Sequence, residues 1–125
     1  MDQEHRGLRF AFSADAEIAP ESSPTASVSA RVTELSLRGC FLETSALFEI
    51  QRPVLVKIYD SGEYFEAEAS VLYVQSSGMG LVFREIKPHF REILQKWVLT
   101  ALDNQPNASQ TPSGWFGNRK LGSAF

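Results

Sequence analysis

Two short polar clusters contain the residues whose types and spacing could bind a ligand. The first, residues 5–9 (HRGLR), lies directly before an alternating segment that begins at Phe10, and the second, residues 34–39 (ELSLRG), surrounds a tight turn. Guanidinium groups fork onto anionic oxygens and stack on flat rings, whereas a carboxylate and a hydroxyl at a turn offer fixed hydrogen-bonding atoms. Together the clusters could grip a small anionic ligand. Each cluster alone also has a simpler explanation. The arginines could only make the N-terminus more soluble, and Ser36 and Gly39 are residues that occur in any tight turn.

Patterns typical of catalysis and metal binding are absent from the sequence. His5 and His89 stand in separate contexts without a His-Glu-x-x-His or Cys-x-x-Cys pattern, so metal-ligand spacing is missing. Ser36 lacks the Gly-x-Ser-x-Gly setting of a hydrolase nucleophile. The lone Cys40 cannot close an intrachain disulfide, and we expect it to be a buried, inert thiol at the start of a strand. We therefore predict a protein that is not an enzyme and binds no metal or cofactor.

The composition is that of one small globular domain. The chain has 125 residues, of which 43% are hydrophobic and 22% charged, which argues against disorder and against a fibrous protein. The longest unbroken apolar run, residues 71–74, is far below the roughly 20 residues that a membrane span needs. The polar, acidic start lacks the pattern of a secretory signal, so we expect a cytoplasmic protein. The net charge of -3 argues against binding to polymeric nucleic acid.

Apolar residues alternate with polar ones in several segments, which predicts a mainly β domain. Phe10 to Ile18 alternates strictly, and residues 28–32 alternate again before the turn at residues 36–39. Residues 19–26 contain two prolines and are expected to be a loop. The predicted strands are residues 10–18, 28–32, 40–43, 54–59, 65–74 and 79–83.

A tight hairpin is predicted in the middle of the chain. Asp60, Ser61 and Gly62 tolerate the positive φ of a hairpin turn between two of these strands. Five residues of the second strand are expected to line one face of the sheet: Phe65, Ala67, Ala69, Val71 and Tyr73. Leu72 and Val74 break the polarity of the opposite face. Six short strands in hairpin succession indicate an antiparallel barrel or a sandwich rather than a parallel sheet.

The segment after Pro88 predicts an amphipathic helix. Its apolar residues repeat at helical spacing: Phe90, Ile93, Leu94, Trp97, Val98, Ala101 and Leu102. Such a stripe could bind a partner, but an exposed apolar face of that size favours aggregation, so we expect the helix to pack as a lid on the barrel. Residues 103–125 are polar and are expected to form a mobile tail. The bulky pair Trp115-Phe116 in this tail could dock on the domain or on a partner.

The order and spacing of these features resemble the PilZ domain, the bacterial receptor module for the second messenger cyclic di-GMP. The family signature pairs an Arg-x-x-x-Arg arm with a downstream Asp/Asn-x-Ser-x-x-Gly turn. Here the turn matches in Ser36 and Gly39, with Glu34 where the family has Asp or Asn. The resemblance covers about residues 4–102 and includes the Gly-x-Gly pattern that opens residues 78–83.

The N-terminal arm matches the family pattern less fully than the turn does. Arg9 fits the second family arginine because it stands immediately before the first strand, whereas the first falls at His5, with Arg6 one residue later. The resemblance implies cyclic di-GMP as the ligand, whose phosphates and guanines both suit guanidinium groups. The ligand-binding residues that it implies are His5, Arg6, Arg9, Glu34, Ser36 and Gly39.

The resemblance also implies an architecture and a mechanism. It predicts a six-stranded antiparallel β-barrel of the split-barrel type with a C-terminal α-helix over residues 10–102, preceded by a flexible arm at residues 1–9 and followed by a polar tail at residues 103–125. Binding is expected to order the arm across the barrel and to change the surface that a downstream protein effector meets. The alternative is a PilZ-like protein interaction module that acts without ligand in motility or exopolysaccharide regulation. The missing first arginine at His5 favours that alternative.

Overall fold

Six antiparallel strands close into a barrel in the computed structural model, which describes residues 9–103. The elements are β1 Phe10–Pro20, β2 Val28–Leu35, β3 Gly39–Glu43, β4 Pro53–Asp60, β5 Glu63–Gln75, β6 Gly78–Glu85 and α1 Pro88–Asp103. The strand order around the barrel is β1-β2-β3-β6-β5-β4. The predicted mainly β fold with a C-terminal helix is therefore confirmed, and the structure decides for the barrel over the sandwich. The predicted arm, apart from Arg9, and the tail after Asp103 lie outside the described residues.

The barrel interior is filled by the inward-facing half of each alternating strand. The largest fully buried side chains are Leu94 of the helix and, on the strands, Phe65, Ile18, Leu35, Leu42, Ile58, Met79, Val32, Val54, Val56 and Val71. Burying one such side chain stabilises the fold by roughly 1.5–3 kcal/mol, so the alternation provides most of the driving force. Cys40 is also buried, and burial raises the pKa of its thiol to about 12, in keeping with the predicted inert thiol.

The β4–β5 hairpin has the turn that the sequence predicts. Asp60 pairs with Glu63, which leaves a two-residue loop. Ser61 has a φ of 55° and Gly62 a φ of 80°. Positive φ at both positions gives the type I′ turn whose twist matches that of the flanking strands.

The first strand is two residues longer than predicted. The loop that is expected to begin at residue 19 begins after Pro20. Ala19 pairs with Leu55 and Pro20 with Val54, so β4 extends the ladder to the end of β1. A proline is tolerated at the last position of a strand, where one missing donor interrupts little of the ladder.

Irregularities in register change which face of the barrel some residues occupy, and two of the four among the described strands lie next to the residues of the candidate site. One lies between Ala11 and Ala14 in β1, and another lies between Val71 and Tyr73 in β5. The expectation that Tyr73 continues the inward-facing row of β5 is wrong. Leu72 is an extra residue at this bulge, so Tyr73 pairs with Gly80 and its ring lies on the outer face.

Helix α1 closes one end of the barrel, as its apolar stripe predicts. Its buried residues are Ile93, Leu94, Trp97, Val98 and Ala101. The Trp97 ring stacks on Phe12 at a centroid distance of 5.5 Å and lies 6.4 Å from that of Phe65. The helix therefore packs as a lid. Within residues 9–103, no helix is long and apolar enough to cross a membrane.

One ion pair ties the lid to the barrel and gives a measurable prediction. Lys96 Nζ donates to Glu63 Oε2 at 2.7 Å, and this hydrogen bond lowers the pKa of Glu63 from 4.5. A lowered folded-state pKa adds stability above pH 4.5 that is lost as the pH falls through the folded-state value. We expect Lys96→Met to raise the pKa of Glu63 towards its ordinary value, as measured by carboxyl-carbon NMR. Lys57→Met, which removes the partner of Glu66, is the control and should leave Glu63 unchanged. An unshifted Glu63 in Lys96→Met would contradict the assignment.

Candidate ligand-binding site on the barrel wall

Arg9 is the part of the N-terminal cluster that the structure describes, and it meets strand β2. Its Nη1 donates to Glu34 Oε1 at 3.1 Å and to Tyr73 Oη at 3.1 Å. The Arg9 and Glu34 side chains are 47% and 48% exposed, so a ligand from solvent can reach both of them. The structure thus brings together two of the residues that the sequence singles out. His5 and Arg6 lie outside the described residues.

A single row of paired residues crosses the barrel wall beneath this contact. The row runs from β1 through β2, β3 and β6 to β5, and its members are Ala11, Glu34, Phe41, Gly80 and Tyr73. Because paired residues of antiparallel strands point to the same face, the side chains of this row share the outer surface. The row therefore places a carboxylate and two aromatic rings on one surface.

The Tyr73 ring reaches Arg9 because Gly80 has no side chain. A Cβ built on Gly80 would collide with the Tyr73 ring, which lies across β6 at this point. Beyond Gly80 the ring stacks against Phe41, with centroids 6.2 Å apart and planes inclined by 27°. Glycine at position 80 thus lets an aromatic residue of β5 extend over two strands towards the arm.

The turn between β2 and β3 is held by the hydroxyl of Ser36. Its Oγ accepts hydrogen bonds from the backbone N–H groups of Arg38 and Gly39, both at 3.1 Å, and donates to the Gly39 carbonyl at 3.3 Å. Ser36 is only 6% exposed. The hydroxyl therefore fixes the turn, while Leu37 and Arg38 are exposed, as expected for Arg38.

Gly39 is required by a close approach between strands rather than by its backbone angle. Its φ is not positive, unlike that of Gly62. A Cβ on Gly39 would collide with the carbonyl oxygen of Leu81 on β6. Of the two reasons for a glycine here, an unusual conformation or a close approach, the structure selects the second, and the approaching group is the neighbouring strand.

The charge on Arg9 is stable, but its pairing is weak. Partial burial lowers the pKa of Arg9, yet the hydrogen bonds and charge interactions with Tyr73 and Glu34 outweigh burial and raise that pKa above its ordinary value. An ion pair between half-exposed side chains contributes only about 0–1 kcal/mol to stability. A ligand with a stronger anionic group can therefore replace Glu34 as the partner of Arg9 at little cost.

The site contains residues that sequence reasoning missed. Tyr73, Phe41 and Gly80 share one face of the barrel wall with Glu34, whereas the sequence pattern predicts Tyr73 on the inner face and gives no role at the site to Phe41 or to Gly80, the last glycine of the Gly-x-Gly pattern. The apolar run at residues 71–74, which breaks the alternation of β5, was the available signal, because such a break is typical of a bulge.

Comparisons with known proteins agree on one family and one fold. The PilZ domain family model matches residues 3–100. No curated protein sequence matches the chain.

Three solved structures illustrate the shared fold. The PilZ domain of CeSA from a cellulose-synthesizing bacterium is 16% identical, with a TM-score of 0.63 over 75% of this chain and 97% of that one. The inhibitor of motility MotI from Bacillus subtilis is 19% identical, with a TM-score of 0.64 over 78% of this chain and 51% of that one. The PilZ domain of YcgR from Escherichia coli, solved with c-di-GMP, is 12% identical, with a TM-score of 0.61 over 83% of this chain and 96% of that one.

Proposed function

This chain belongs to the PilZ domain family, and from that membership we propose that it is a non-enzymatic cytoplasmic receptor for cyclic di-GMP. The observation that carries the proposal is the contact of Arg9 with both Glu34 and Tyr73 at 3.1 Å. This contact joins the end of the arm to the strand that leads into the Ser36 turn. The similar PilZ domain of YcgR was solved with the same dinucleotide, which supports the choice of ligand.

The phosphates of the ligand are assigned to the arginines. Arg9 exchanges its weak pairing with Glu34 for a phosphate oxygen, because charge-assisted hydrogen bonds to phosphate are stronger and can be bidentate. In the proposal, Arg6 adds a second guanidinium from the arm, and His5 contributes little charge near neutral pH. The arm thereby becomes ordered across the barrel wall.

The guanine bases are assigned to the row of paired residues. Once Arg9 has turned to the phosphate, the Glu34 carboxylate is able to accept hydrogen bonds from guanine N–H groups. The partly exposed Tyr73 ring, which stacks on the buried Phe41 ring, offers a stacking partner for a base. Ser36 and Gly39 contribute by fixing the turn that carries the exposed Arg38, and a ribose or base atom contacts this turn from outside.

Signalling follows from the ordering of the arm rather than from any reaction. A bound dinucleotide that pins the arm to the wall changes the outline of the domain, and a downstream protein effector distinguishes the two outlines. Breaking the Arg9–Glu34 ion pair to release Arg9 for the ligand costs little free energy, because the pair is exposed and weak.

Calorimetric titration of cyclic di-GMP into the full chain tests the proposal. We expect saturable heat, together with NMR shifts of the amides of Arg9 and Glu34 and of the Tyr73 ring. Cyclic di-AMP is the control ligand, because it has the same phosphates but lacks the guanine N–H donors. No heat and no shift at high micromolar cyclic di-GMP would remove the receptor function.

A second function, a protein interaction module that acts without ligand, is favoured by two observations. Arg9 has partners within the chain itself, Glu34 and Tyr73, and His5 stands where the family has its first arginine. The two functions differ in a pull-down experiment. A partner that binds equally well with and without cyclic di-GMP supports the interaction module.

Gly80→Ala is expected to weaken cyclic di-GMP binding while leaving the barrel folded. The added methyl group displaces the Tyr73 ring, which is a partly exposed side chain and can move away. Loss of one base–aromatic stack, worth about 1–3 kcal/mol, corresponds to roughly a tenfold or greater rise in Kd. Calorimetry measures the affinity and thermal unfolding the stability. Tyr73→Phe, which retains the ring, is the matched control, and equal affinities in Gly80→Ala and the unmodified chain would exclude Tyr73 from the site.

A further inference from the structure

Two neighbouring tyrosines form an exposed aromatic surface away from the candidate ligand site. Tyr59 on β4 and Tyr64 on β5 are 38% and 43% exposed, and their ring centroids lie 6.3 Å apart in an edge-to-face arrangement. We call them the tyrosine pair. Tyr64 and Tyr73 lie nine residues apart on β5, a distance of roughly 30 Å along an extended strand. The tyrosine pair therefore shares no residue with the proposed nucleotide site.

Contacts with neighbouring side chains hold both rings of the tyrosine pair in place. The Tyr59 hydroxyl donates to Glu17 Oε1 at 3.2 Å. The Tyr64 ring lies 5.4 Å from Phe90 of the lid, and Phe90 lies 6.4 Å from the fully buried Phe65. Rings that are already fixed lose little conformational entropy when a partner binds, and tyrosine is enriched at protein interfaces for this reason.

The surroundings of the tyrosine pair carry an excess of negative charge. Three carboxylates share the outer face of the barrel with the tyrosines: Asp15, Glu17 and Glu66. Two basic side chains on this face, Arg31 and Lys57, pair with Asp15 and Glu66. The carboxylates of this face thus exceed its cations by one, and Glu17 is the carboxylate without a basic partner among these pairs. Long-range attraction steers a basic partner towards such a surface.

The structure already contains a cation on one of these rings. Lys57 Nζ lies 5.0 Å from the centroid of Tyr64 and 4.0 Å from Glu66 Oε2. A cation over an aromatic face next to a carboxylate is the arrangement that an arginine of a partner would use. Tyr59 has an equivalent ring and a carboxylate, Glu17, within hydrogen-bonding distance of its hydroxyl.

We propose that the tyrosine pair is the docking surface for a basic, arginine-bearing segment of a partner protein. An arginine of the segment stacks on the Tyr59 ring and pairs with Glu17, and an apolar neighbour of that arginine packs against Tyr64. The tyrosine pair shares no residue with the nucleotide site, so this proposal does not depend on cyclic di-GMP binding. It adds a protein interaction surface to the proposed receptor function.

The test uses the isotope-labelled full chain and a short synthetic peptide of alternating arginine and leucine as the probe. We expect NMR shifts centred on Tyr59 and Tyr64, and no shifts with the same peptide carrying glutamate in place of arginine. Tyr59→Glu is the decisive variant, because it removes the ring but adds negative charge. Docking on the ring predicts at least about tenfold weaker binding, whereas unspecific attraction predicts tighter binding.

Two further variants make the outcome unambiguous. Tyr64→Ala is expected to weaken binding of the peptide, and Tyr73→Ala, at the nucleotide site, is the control that should leave it unchanged. Thermal unfolding shows whether each variant is folded, and Tyr59→Ser replaces Tyr59→Glu if that variant is not. Tighter binding by Tyr59→Glu, or shifts spread over the whole surface, would overturn the docking surface. Neither result bears on cyclic di-GMP binding, which is measured separately.

Discussion

Arg9→Ala is expected to weaken cyclic di-GMP binding by about a hundredfold, because one or two charge-assisted hydrogen bonds to phosphate, each worth about 1.5–3 kcal/mol, are lost. The same substitution should lower the thermal midpoint by less than about 5 °C, since the half-exposed pair with Glu34 contributes at most about 1 kcal/mol. Calorimetry and thermal unfolding of the same preparations measure the two effects. A large effect on binding with a small effect on stability is the signature of a ligand contact.

Arg31→Ala is the matched control for this prediction. Arg31 is also on the barrel surface, is 51% exposed on its side chain, and pairs with Asp15 at 2.8 Å. The Arg31→Ala variant should therefore have the same thermal midpoint as Arg9→Ala, but it should bind cyclic di-GMP as tightly as the unmodified chain. If Arg9→Ala instead lowers stability strongly and leaves the affinity unchanged, Arg9 is a structural residue and the interaction module becomes the better account.

Gly39→Ala is expected to destabilise the fold by about 3 kcal/mol, which corresponds to roughly 15 °C in thermal midpoint. The methyl group would collide with the Leu81 carbonyl oxygen, and a backbone atom of a paired strand cannot move aside as a side chain can. The collision also displaces the N–H of Gly39 from the Ser36 hydroxyl and so disturbs the turn. Urea unfolding measures the change in free energy of unfolding.

Gly62→Ala separates the two reasons for which a glycine is needed. Gly62 has a φ of 80° and nothing within 4 Å of a built Cβ, so alanine there adds only the conformational cost of about 1–2 kcal/mol. We therefore expect Gly39→Ala to be the more damaging of the two. Equal losses would mean that β3 and β6 can separate at little cost, contrary to the close approach described above.

The position of Glu34 bears on how tightly the proposed ligand binds. Glu34 stands where the family has Asp or Asn, and its longer side chain contacts Arg9. In the proposal, a nucleotide has to displace this contact before its phosphate reaches the guanidinium. Breaking one exposed ion pair costs little free energy, but this cost lowers the affinity for the ligand, because Arg9 is the residue expected to bind its phosphate.

The strands, the central hairpin and the lid helix can be predicted from local sequence patterns. Alternation at residues 10–18 predicts a strand that is buried on one face, the Asp60-Ser61-Gly62 turn predicts a tight hairpin, and the apolar stripe after Pro88 predicts the lid helix. These features depend on neighbours within a few residues, so local spacing is sufficient to predict them. The same local reasoning found Arg9 and the Ser36 turn as the candidate site.

Which side chains share the site depends on how the strands pair in the folded barrel. The bulge between Val71 and Tyr73 depends on the pairing of β5 with β6, and one extra residue moves every later side chain to the other face. Tyr73 could therefore be assigned to the outer surface only after its partner, Gly80, was known. The contacts of Arg9 join residues 25 and 64 positions apart. Closure of the barrel creates such contacts, because cross-strand register, unlike alternation, is a property of two segments rather than of one.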